Sequence, residues 1–147
     1  MAHFGQLKIM KTVAPQISSA VLLPPGTIPS GIHTPTPGLD ISSFIGSASL
    51  IITSTGTYSG AGIQAQLQES TDNATWAASS SYGTIFDGAA PQAGYPQGAT
   101  VTRVTVDTEK LAQYVRPRLV STGNFGLGIT LIGVKGHPPT PNTNQAT

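Results

Sequence analysis

The stretch from Gly62 to Trp76, GIQAQLQESTDNATW, constrains the fold more than any other part of the chain. Ile63, Ala65 and Leu67 fall on one side of an extended backbone, and Gln64, Gln66 and Gln68 fall on the other. A period of two over such a run marks a strand with one buried face. The alternation then stops at a polar knot. Asp72 and Asn73 carry short side chains that bond nearby backbone and tolerate left-handed geometry, so the knot reads as a hairpin tip. Trp76 resumes the apolar pattern and is expected at the base of that hairpin, covering one end of a core.

The rest of the chain repeats this grammar. SASLIITST, residues 47–55, is β-branched and apolar on both faces at Leu50, Ile51 and Ile52, as suits a central strand. Further strands are expected near YGTIFD (82–87), in ATVTRVTVD (99–107), in QYVRPRLVST (113–122) and in GLGITLIGVK (126–135). The apolar phase slips by one residue around Arg103, which predicts a bulge or a change of buried face. Pro117 cannot donate to a ladder, so its strand is expected at an edge or a bulge. The one helical signal is DTEKLAQYV (107–115), a turn or two that Thr108 is placed to cap. Strands recurring about every dozen residues with Gly, Pro, Asn and Ser between them read as a β-sandwich, a jelly roll or an immunoglobulin-like fold.

The two ends differ from the middle. PPGTIPSGIHTPTPG, residues 24–38, is rich in proline and glycine. The organisation expected is therefore an extended N-terminal arm over 1–40, a sandwich over 41–135 and a polar C-terminal tail over 136–147. Thirty extended residues reach about 100 Å. Leu7, Ile9, Met10 and Val13 put apolar groups on the arm.

Composition narrows the function. At 147 residues the chain is one domain, long enough to bury about 70% of its unfolded surface without staples. It has no cysteine, so neither a disulfide framework nor a thiolate metal site is available. Charged residues are 9% of the chain, against about 25% in ordinary domains. A net charge of +1 with seven scattered Lys and Arg makes no nucleic-acid surface. No run approaches the ~20 apolar residues that cross a bilayer as a helix, and Lys8 and Lys11 interrupt the first apolar stretch, unlike a secretion signal. Few charges mean weak repulsion from other proteins, which permits packing onto a large assembly.

No catalytic, metal-binding or cofactor-binding residue is expected. His3, His33 and His137 lie in the ends of the chain, where rigid catalytic geometry is hard to hold. Glu69 and Asp72 flank one turn and are read as steadying it. Trp76 with Tyr58, Tyr82 and Tyr95 is weighed as a sugar platform, but a core role is preferred for Trp76. Arg116 and Arg118 share one strand face and are open to partners inside or outside the chain.

Three motifs in order, LQESTDNATW, YVRPRLVSTG and GVKGHPPTP, resemble a family of small tailed-bacteriophage head proteins. These are auxiliary capsid proteins, called cement or decoration proteins. The resemblance covers about residues 44–141. It carries over as the hairpin Gln68 to Trp76, the paired arginines of Tyr114 to Arg118, and the exit Gly136 to Pro138. It implies an all-β antiparallel sandwich of jelly-roll type with no enzymatic activity. It implies a virion location on the outer capsid surface after synthesis in the host cytoplasm, and the clamping of neighbouring capsomers. The implied partners are the major capsid protein and the chain itself, as a homodimer or a trimer, with no nucleic acid and no membrane. Leu7, Ile9, Met10, Val13, Arg116 and Arg118 are the candidate contacts, and Asp72, Asn73 and Trp76 the structural hairpin. The alternatives are a surface carbohydrate-binding module and a head-completion or tail-tube protein.

Overall fold

The computed structural model describes residues 17–56, 62–88 and 100–136. They form ten strands: β1 (Ile17–Ile28), β2 (Gly31–His33), β3 (Leu39–Asp40), β4 (Phe44–Gly56), β5 (Ile63–Ser70), β6 (Ala77–Ala78), β7 (Thr84–Gly88), β8 (Thr100–Asp107), β9 (Tyr114–Ser121) and β10 (Phe125–Lys135). A four-stranded sheet has the order β1-β10-β4-β8, and a six-stranded sheet is built on β2-β9-β5-β6. In the second sheet β3 also pairs with β9, and β7 with β5.

All these pairings are antiparallel. β2 and β3 bond successive stretches of β9, and β6 and β7 bond successive stretches of β5, so each pair acts as one interrupted strand. Counted that way, one sheet runs first–eighth–third–sixth and the other second–seventh–fourth–fifth. That double Greek-key order is a jelly roll.

The core is the layer between the sheets. Leu50 and Ile52 from β4, Leu127, Ile129 and Leu131 from β10, and Val106 from β8 meet Ala65 and Leu67 from β5 and Leu119 from β9. Alternation explains the selection. β9 reads half-buried and buried in strict turn, from Tyr114 to Ser121. β4 and β10 are both interior strands of their sheet, which agrees with apolar residues on both of their faces.

Four expectations change. The boundary between arm and sandwich does not fall at residue 40: β1, β2 and β3 lie within the two sheets. Proline is tolerated there because β1 is an edge strand, and Pro24 and Pro25 sit where its register against β10 shifts. Pro117 lies in a strand that has neighbours on both sides, opposite Leu67 of β5. The outer ladder is open at that residue, since β2 bonds Leu119 to Ser121 and β3 bonds Tyr114 and Val115. β8 pairs with β4 in unbroken register from Asp107 to Thr100. The apparent phase slip is an exposed Val101 on the outer face, not a bulge.

The helical signal is one 3₁₀ turn, Thr108–Lys110, capped by Asp107 rather than Thr108. The Asp107 carboxylate accepts the Glu109 amide at 3.1 Å. Thr108 instead donates its hydroxyl to the Gly46 carbonyl at 2.8 Å, tying the turn to β4. Leu7, Ile9, Met10, Val13, Tyr58, Tyr95, His3 and His137 lie outside the described residues.

Candidate binding faces

On the outer face of the six-stranded sheet, register sets Gln68 opposite Arg116 and Gln66 opposite Arg118. Arg116 Nε donates to Gln68 Oε1 at 2.9 Å, and Arg118 Nη1 to Gln66 Oε1 at 3.4 Å. The Arg116 guanidinium also lies over the Trp76 ring, 4.2 Å from its centroid. Burial lowers the Arg116 pKa from its ordinary value, yet a guanidinium this basic stays charged. Each candidate arginine thus gives one of its five N–H donors to a glutamine within the chain.

Trp76 is half-buried and belongs to this outer cluster, not to the core. Its position follows from β6, which pairs Ala77 with Glu69 and Ala78 with Gln68, so the ring enters beside the Gln68–Arg116 pair. Gly38 approaches the ring so closely that a Cβ there would stand 2.1 Å from Trp76 Cη2. The Gly38 amide donates to Asn73 Oδ1 at 3.0 Å, joining the loop before β3 to the hairpin tip.

The hairpin tip itself is as expected. Asn73 has a φ of 58°, in the left-handed region that asparagine tolerates. Asp72 Oδ1 accepts from the Ala74 amide at 2.9 Å, the Thr75 amide at 2.8 Å and the Ser70 hydroxyl at 2.8 Å. The Thr75 and Ala74 amides, foremost, hold its carboxyl far below the usual carboxylate range. Glu69 does not share that work: register turns it to the inner side, opposite Val115, and its Oε2 is buried with no hydrogen-bond partner among the described residues.

The outer face of the four-stranded sheet is different in kind. Lys135 is the single charged residue in the sequences of β1, β4 and β10, and its Nζ lies 5.5 Å from the centroid of the Phe44 ring. Exposed on those strands are Ile17 (57%), Val21 (54%), Ile45 (50%) and Ile132 (40%). Register sets them in rows: Ile17, Val134 and Ile45 across one, then Ser19, Ile132 and Ser49 across the next. Arg103 and Asp107 bring charge to this side only on β8, at one margin.

Among the described residues no three His, Cys, Asp or Glu group so as to hold a metal ion. His33 Nε2 lies 2.9 Å from the Pro29 carbonyl. Trp76 and Tyr82 form no common platform, since Trp76 stacks with Arg116 while the Tyr82 hydroxyl accepts the Asp107 amide at 2.6 Å. No helix among the described residues is long and apolar enough to cross a membrane.

The architecture has solved counterparts. The VP2 subviral particle of infectious bursal disease virus aligns over 82% of this chain with a TM-score of 0.53 and 10% identity. T=1 particles derived from infectious bursal virus align over 82% with a TM-score of 0.51 and 9% identity. The likeness is one of fold. The sandwich has a fold found in viral capsid particles, and the chain spans about a third of those proteins, 33% and 31%. No family model and no curated protein matches the chain.

Proposed function

We propose that the chain is a structural protein of a tailed-bacteriophage head. It acts as a cement or decoration protein that binds the outer surface of the icosahedral shell and clamps neighbouring capsomers. The observation that carries this reading is the outer face of the four-stranded sheet, with Ile17, Val21, Ile45 and Ile132 exposed on strands that hold one charged residue between them. A jelly roll of the kind found in viral particles and the three sequence motifs support it.

The energetics suit a clamp. Covering a half-exposed Ile or Val returns on the order of 1 kcal/mol. A few such contacts hold one copy weakly, and linking copies or touching several shell subunits multiplies them. The partners in this reading are the major capsid protein and a second or third copy of the chain. The role needs no catalysis, metal or cofactor.

The test is thermal. Particles stripped of the protein are expected to release their genome at a lower temperature than intact ones, and adding the purified protein back restores the difference. An unchanged release temperature overturns the proposal. Copy number separates it from a head-completion or tail-tube role, because a clamp is present in near-stoichiometric amount with the shell protein and a ring component is not. The carbohydrate alternative requires an open aromatic face, and the Trp76 ring is covered by Arg116.

A further inference from the structure

We infer that the free edge of β8 is a docking site for an extended segment of a different protein, one that places a carboxylate opposite Arg103. The inference stands on edge geometry and is independent of the capsid reading. β8 is the last strand of the four-stranded sheet, paired with β4 on one side and with no strand on the other among the described residues. The opposite edge, β1, is blunted by Pro24, Pro25 and two shifts of register. β8 has neither proline nor glycine and keeps regular register throughout, so its unpaired backbone is a ready template for another strand.

One hydrogen bond fixes which groups face outward. The Asp107 amide donates to the Tyr82 hydroxyl, so it points away from β4. Residues along an antiparallel strand alternate between bonding one neighbour and the other. Thr105, Arg103 and Val101 therefore present their N–H and C=O groups to the open edge, while Val106, Val104 and Thr102 bond β4. Tyr82 closes the edge at Asp107 and acts as a register stop. Val101, 72% exposed, marks the other end. The open span suits a segment of about five residues at ~3.3 Å each.

Charge decides the occupant. A second copy using the whole span must pair antiparallel about a two-fold axis at its centre, which sets Arg103 directly against Arg103. Like charges directly opposite destabilise a strand pair. Sliding the register to relieve this either shortens the pairing or runs the second strand into Tyr82. A foreign segment with an acidic residue at its centre meets no such conflict. Val or Thr beside that residue would continue the inner row of Thr102 and Val104.

The probe is a short blocked peptide of threonine and valine around a central glutamate, alongside its counterpart with a central lysine. Both are titrated against the full chain by amide hydrogen exchange and by NMR shift. The glutamate peptide is expected to slow exchange at Val101, Arg103 and Thr105, with Thr102 and Val104 already slow. It should bind about five-fold or more tighter than the lysine peptide. Arg103→Glu should reverse that preference while leaving the fold intact, because the side chain is exposed. Several results overturn the inference. One is no protection of the three amides at millimolar peptide, and another is protection indifferent to the central charge. Slow exchange of all three in the free chain also overturns it, whether constant, as with an edge already filled, or rising with concentration, as with self-pairing.

Discussion

On the outer face of the six-stranded sheet, Arg116 bonds Gln68 and covers Trp76, Arg118 reaches Gln66, and Asn73 takes the Gly38 amide. On the outer face of the four-stranded sheet, Ile17, Val21, Ile45 and Ile132 stand open between rows of Ser and Thr. Both faces sit on antiparallel ladders of similar length. The difference is where the side chains find partners. Around Arg116 and Trp76 the first face is satisfied from within, with Ile32 (62%) exposed only at its β2 margin, so substitutions in that cluster report on folding. The second leaves aliphatic surface in water at no gain to the isolated chain, so substitutions there are expected to report on association.

The largest effect expected comes from charging the open face. Val21→Lys combined with Ile132→Lys should weaken attachment to shells about 100-fold, near 2.7 kcal/mol, in a co-sedimentation assay. Stability should move by no more than about 0.5 kcal/mol per site, because both side chains face solvent. A large loss of thermal stability would break the contrast between the faces.

Next in size is Gly38→Ala on the closed face. Its methyl has no room beside Trp76, so the ring or the loop must shift, at about 1–3 kcal/mol. Trp76 is the one tryptophan in the chain, and its emission should move to the red as the ring is displaced. Arg116→Ala should cost about 1 kcal/mol by losing the ring contact and the bond to Gln68. A denaturant titration of Arg116→Ala, Trp76→Ala and the double variant isolates the coupling between them. Neither change should alter attachment to shells.

The smallest effect is the acid sensitivity of the hairpin. The folded Asp72 carboxyl titrates below its ordinary value of 3.8, held down chiefly by the Thr75 and Ala74 amides. A depressed folded pKa adds stability that is present above the unfolded pKa and fades as pH falls below it. Asp72→Ala should therefore lower stability slightly at neutral pH and flatten the decline below about pH 4, followed by Trp76 fluorescence. An unaltered acid limb would show that the Asp72 bonds do not hold the tip.

Much of the fold was legible where one rule governed each residue. Period-two alternation located β5, and apolar residues on both faces identified β4 as a central strand. Asp72 and Asn73 announced their turn through local bonding alone. The reading failed where tertiary context supplied what the local sequence lacks. Pro24, Pro25 and Pro37 suggested an arm, yet an edge strand tolerates proline, and Leu22, Leu23 and Ile28 anchor it in the core. Pro117 fits its strand because the outer ladder is open at that point, which depends on how β2 and β3 divide. Trp76 was expected to cover the core, and its placement depends on Arg116 and Gly38, both distant in sequence. The open face of the four-stranded sheet left a signal, three strands with one charge among them, that becomes meaningful only once β1 is known to join β10 and β4.

The orientation of the sandwich on a particle tests the central claim most directly. A cryo-EM reconstruction of heads that carry the protein should show the rows of Ile17, Val21, Ile45 and Ile132 against the shell, with the Arg116–Trp76 face turned to solvent. Density with the arginine face seated on the shell and the aliphatic rows bare would contradict it.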